Sequence, residues 1–120
     1  MPLFTVEEAR AELALLLPVL DEVVTLRADA AELAAASAAG GRASDLGGLP
    51  ELKAAQARLD ELLTQVQRTG AELKGLAPLL VDFPSEVDGT PALLCWLEGD
   101  RALEWWHRLD LGFAGRRRLP

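Results

Sequence analysis

Two hydrophobic periods divide the chain. From Leu13 through Leu16, Leu17, Leu20, Val23 and Val24, apolar residues recur every three or four positions, the spacing of one face of a helix. Thr5-Val6-Glu7-Glu8, just upstream, has the form of a capping box, with the Thr5 hydroxyl accepting the Glu8 backbone N–H and the Glu8 carboxylate reaching back to Thr5. The pattern fades into an Ala-rich run ending at Ala39, and Gly40-Gly41 supplies a stop. This predicts a helix of about thirty residues, roughly 50 Å long. Pro18 inside it lacks a backbone donor, which predicts a kink near Ala14 to Pro18 or two helices meeting there.

A turn-rich connector, Gly40 to Gly48, leads to Pro50, a residue suited to the first helical position. Leu52, Leu59, Val66 and Leu73 then repeat at seven-residue spacing with Leu62 and Leu63 between them, a coiled-coil seam ending near Gly70 or Gly75. Laid antiparallel, the two helices match: Ala28 to Ala39 faces Ala54, Ala55 and Ala57, and Leu13 to Leu26 faces Leu59 to Leu73. After Pro78 the period shortens. Leu79 to Phe83 and Ala92 to Leu97 read as two strands joined across Pro84 to Thr90, with Asp88-Gly89 at the turn. Asp100 is then placed to cap a short helix through Leu109, ended by Gly112. The expected fold is mainly α: a long, coiled-coil-like antiparallel helix hairpin over 5–75, with a small β-hairpin, short helix and tail over 78–120 packed at its base. All of it fits a single domain, 1–120.

The first helix is greasier than one neighbour requires. Leu15, Val19 and Leu26 add a second stripe beside Leu13, Leu16, Leu20 and Val24, widening the apolar arc to roughly 200° at 100° per residue. That stripe is expected to meet either the C-terminal segment or another copy of the chain, making a homodimer.

Charge narrows the classes of partner. The net charge is −7, every Asp and Glu lies at or before Asp110, and Arg116, Arg117 and Arg118 stand together in the tail. An acidic body repels phosphate backbones, so no nucleic-acid partner is expected. No run approaches the roughly 20 apolar residues of a membrane helix, since Asp21, Glu22, Arg27 and Asp29 interrupt the greasiest stretch. Glu7, Glu8 and Arg10 fall where a secretory h-region would begin, and Cys95 is the single cysteine, so a cytoplasmic protein without a membrane partner is expected.

The densest chemistry lies in Glu104-Trp105-Trp106-His107-Arg108-Leu109-Asp110. On a helix, Glu104, His107 and Asp110 would share one face and could hold a divalent metal, but the Glu-x-x-His unit of carboxylate-bridged bundles occurs here in a single copy, and a charged face with His107 bonded to Asp110 or Glu104 is the favoured reading. Cys95, beside Trp96, reads as a core thiol, a metal ligand or a nucleophile with His107 as its base. No Gly-x-Ser-x-Gly elbow, phosphate-binding Gly-x-x-x-x-Gly-Lys loop or paired-cysteine motif occurs, so catalysis is not expected.

Several blocks together resemble an uncharacterised bacterial family, the domain of unknown function 2203. They are Phe4-Thr5-Val6-Glu7-Glu8-Ala9 with Leu15-Leu16-Leu17-Pro18, then Val81-Asp82-Phe83-Pro84, Leu94-Cys95-Trp96, and Trp106-His107-Arg108-Leu109-Asp110-Leu111-Gly112-Phe113-Ala114-Gly115-Arg116-Arg117. The resemblance implies that Glu8, Asp82, Cys95, His107, Asp110, Gly112 and Arg116 occupy motif positions, and it confers no activity. Arg108 stands where similar sequences often carry Glu, which weakens a metal site drawing on that position. The polar members Glu8, Asp82, Cys95 and Arg116 would form either a structural knot, with Arg116 paired to Asp110 or Asp82, or the lining of a ligand pocket. The sequence is thus read as a small scaffold or interaction protein, with metal or small-ligand binding around His107 and Asp110 as the rival.

Overall fold

A computed structural model of the chain describes residues 3–40 and 44–120. Its elements run α1 (Val6–Ala38), α2 (Leu49–Arg68), β1 (Glu72–Leu76), β2 (Leu79–Val87), β3 (Thr90–Leu97), β4 (Trp105–Arg108) and β5 (Arg117–Arg118), with a 3-10 turn at Phe113–Gly115 before the last strand. Contacts divide the chain into two compact units, one formed by 1–16 with 66–120 and the other by 17–65.

In the unit of 17–65, the buried apolar residues are Leu20, Val23 and Leu33 from α1 and Leu52, Ala55, Leu59 and Leu62 from α2. Both sets recur at helical spacing, so each helix turns one stripe inward. Arg58 reaches across to Glu22 at 2.8 Å and along its own helix to Glu61 at 3.0 Å. The start of α2 is held by the Gly48 N–H donating to Glu51 Oε1 at 2.8 Å, with Pro50 in the first turn, where its missing N–H costs nothing. The capping box of α1 forms as the sequence implies: Glu8 N–H donates to Thr5 Oγ1 at 3.0 Å, and Thr5 N–H to Glu8 Oε1 at 2.9 Å. The helix runs unbroken through Pro18. Positions 41 to 43 of the connector, including the second stop glycine, lie outside the described residues.

The unit of 1–16 and 66–120 is built on a five-stranded antiparallel meander, β1-β2-β3-β4-β5, which overturns the expectation of a mainly α helix hairpin with a small β-hairpin and short helix at its base. Two segments account for the difference. Leu73, expected to extend the seam of α2, lies on β1: Thr69 Oγ1 bonds the Val66 carbonyl at 2.6 Å, and Gly70, at φ 96°, reverses the chain. The helix expected from Asp100 to Leu109 contains β4 instead, with Leu94 opposite Trp106 and Cys95 opposite Trp105. Asp100 closes a tight turn rather than a helix, accepting the Leu97 N–H at 3.0 Å on its carboxylate and the Trp96 indole N–H at 3.0 Å on its carbonyl.

The central hairpin is longer than expected. Val87 pairs with Thr90 around Asp88-Gly89, both at positive φ (52° and 77°), the conformation a two-residue hairpin turn needs. Pro84 sits inside β2 because β1 pairs no further than Asp82; beyond that point the strand has a free edge, where the Pro84 carbonyl accepts the Phe4 N–H at 2.7 Å. Side chains alternate across the sheet. Val81, Phe83 and Ser85 share one face with Leu94, Trp96 and Trp106, and there Phe4 meets Phe83 edge-on at 5.3 Å while Ser85 Oγ donates to the Phe4 carbonyl at 2.6 Å. The opposite face carries Leu80, Asp82 and Pro84, then Leu97, Cys95 and Leu93, then Trp105 and His107.

Candidate metal centre

Three residues on that second face are chemically capable. Asp82 on β2 stands opposite Cys95 on β3, and His107 on β4 reaches back across β3. His107 Nε2 comes within 3.3 Å of Asp82 Oδ2, and one ligand atom from each of Asp82, Cys95 and His107 falls within 4.8 Å of the other two. All three are sealed from solvent, with 1%, 0% and 3% of their surface exposed.

Hydrogen bonding fixes the imidazole. Nδ1 lies 2.9 Å from the Arg108 carbonyl, which can only accept, so Nδ1 carries a proton. Nε2 then presents either a lone pair or a second proton to the Asp82 carboxyl. Asp82 Oδ1 is buried without a hydrogen bond of proper geometry, although the Cys95 thiol lies beside the carboxyl. Burial raises the Asp82 pKa above the ordinary carboxylate value, and the charge of His107, the Cys95 thiol and the charge of Lys74 oppose that rise only in part. Burial first, and the neighbouring Asp82 carboxylate second, push the Cys95 thiol up to about 12. Cys95 is therefore not an activated nucleophile: that role needs a depressed pKa.

The donor set fits a metal. Imidazole nitrogen, carboxylate oxygen and thiolate sulfur are the ligands of a borderline-soft divalent ion such as Zn²⁺. Bonds of 2.0–2.1 Å at tetrahedral angles separate neighbouring N and O donors by about 3.3 Å, the spacing found between Nε2 and Oδ2. The Nδ1–H to carbonyl bond is the outer contact that commonly orients a metal-ligating histidine. A bound cation would replace the Nε2 to Oδ2 contact with two metal bonds and displace the thiol proton.

Other candidate residues are spent elsewhere. Glu104 and Asp110 do not meet His107, because the segment is a strand with a following turn; Glu104 pairs with Arg118 at 3.4 Å, and Asp110 with Arg108 at 2.7 Å. Glu8 serves the capping box. Arg116 pairs with Asp100, not with Asp110 or Asp82, and its guanidinium lies 4.8 Å over the Trp105 ring, directly opposite Cys95 in the ladder. The grouping of Asp82 with Cys95 had a sequence signal. Counting outward from a two-residue turn at Asp88-Gly89 pairs 87 with 90 and hence 82 with 95. His107 could be found only by reading Trp105 to Arg108 at period two.

The model of the family described as "Uncharacterized conserved protein (DUF2203)" matches residues 2–119. The chain belongs to the DUF2203 family. No curated protein and no solved structure matches it. In this DUF2203 chain, the Asp82, Cys95 and His107 cluster joins the blocks Val81-Asp82-Phe83-Pro84, Leu94-Cys95-Trp96 and the one that begins Trp106-His107. No helix among the described residues is long and apolar enough to cross a membrane.

Proposed function

We propose that the protein binds a divalent transition metal, of which Zn²⁺ fits best, through Asp82, Cys95 and His107. The observation that carries this reading is the convergence of three unlike donor atoms within 4.8 Å, from three adjacent strands, with the outward nitrogen of His107 already bonded to a backbone carbonyl. An ion pair would account for Asp82 and His107; the Cys95 thiol against the same carboxyl supplies the third donor. Elemental analysis of tag-free protein should find one zinc per chain in the wild type and none in His107→Ala or Cys95→Ser. Adding Zn²⁺ at about 100 times its dissociation constant should stabilise wild type by about 2.7 kcal/mol. A wild type that retains no stoichiometric metal, and melts at the same temperature with and without Zn²⁺, would sink the proposal.

A homodimer through Leu15, Val19 and Leu26 is the second reading. Its support is Leu15, a large apolar side chain 74% exposed on a helix whose neighbours Leu13 and Leu16 are buried.

A further inference from the structure

Three donors leave a tetrahedral ion one ligand short among the described residues, and the surroundings of the cluster select what fills that place. Glu72, opposite Asp82 on β1, is taken by Lys74 at 3.0 Å. Arg116 is a cation on the Cys95 side of the cluster, over Trp105, which stands opposite Cys95 in the ladder. It lies between the rings of Trp105 (4.8 Å) and Phe113 (5.2 Å), commits Nη2 to Asp100, and leaves Nε buried with no acceptor. A guanidinium cannot ligate a metal and repels one, but it strengthens the hold on an anion that does ligate it. On the same face, one cross-strand row from Asp82 and Cys95, Leu80 and Leu97 oppose each other and floor an apolar cleft of about 290 Å³ walled by Pro78 and Phe113. Two residues along a strand is about 7 Å, so the cleft lies within the length of a short hydrocarbon chain from the metal donors.

The geometry points to a small organic anion, a carboxylate on an apolar body, as the ligand of this centre: its oxygen completes the metal and accepts from Arg116, and its body lies on Leu80, Leu97 and Phe113. This rests on the metal reading, and the test separates the two. The full chain is loaded with Co²⁺, whose visible absorption reports coordination, and titrated with acetate and with hexanoate. Absorption from the cobalt–thiolate centre before any anion is added is the metal result; if it is missing, the metal reading fails and this inference falls with it. Given cobalt uptake, hexanoate should change the spectrum and bind at least about tenfold tighter than acetate, because its methylenes leave water. Phe113→Ala should remove most of that preference and leave the acetate response. Arg116→Gln should keep cobalt and weaken both anions about tenfold or more; Arg116→Lys, which retains the charge beside Asp100, gives the same comparison in a less perturbed protein. A cobalt spectrum indifferent to both anions, equal affinity for the two, or wild-type anion binding in both Arg116 variants would overturn the inference.

Discussion

His107 shows how one backbone contact sets the chemistry of a side chain. Its Nδ1 bond to the neighbouring Arg108 carbonyl turns Nε2 inward, toward Asp82 and Cys95. All three residues were visible as candidates in the sequence, but Glu104 and Asp110 were the partners that helical spacing assigned to His107. Strand geometry puts i and i+2 on one face and sends i+3 to the other, so those carboxylates part company with it. Cys95 carries its own prediction. In the metal-free chain burial and Asp82 push the thiol up to about 12, and with or without metal it has no exposed surface. Iodoacetamide at pH 8 should leave Cys95 of the folded protein unmodified over a time in which the urea-unfolded chain is fully alkylated; equal rates would show that this part of the sheet opens freely.

Among the elements, the helices were the most legible. Capping box, apolar stripe and glycine stop gave α1 within a residue of its observed ends, since each signal is local. Strands β1 and β4 were not legible, because five- and four-residue segments carry too few positions to separate a period of 2 from one of 3.6, and what makes them strands is a neighbour to pair with. Between the helices, the Glu22–Arg58 pair has a definite pH signature. Arg58 holds the Glu22 carboxyl below its ordinary 4.5, chiefly through their hydrogen bonds. A depressed carboxylate stabilises the folded state above its unfolded pKa, and that contribution is lost as pH falls through the folded value. An NMR titration should place the Glu22 midpoint below that of exposed glutamates, and Arg58→Ala should return it to the ordinary value. Both charges are solvated, so the effect on stability should be small and should shrink with added salt.

For the molecule as a whole, the exposed Leu15 makes association the property to measure. Leu15→Glu/Val19→Glu should remain folded by circular dichroism, because Leu15 contributes little buried surface and Val19 is only half-buried. Light scattering should then find a wild-type dimer and a variant monomer; a wild-type monomer would end the dimer reading. By itself the sequence determined the two helices, the Asp88-Gly89 hairpin, the acidic net charge and the residue types capable of chemistry, because these follow from local spacing and from composition. Tertiary structure decided the number of strands and the identity of the site. Asp82, Cys95 and His107 belong to three different strands, and only the ladder that aligns 82 with 95 and brings 107 across from 93 puts their ligand atoms within reach of one ion.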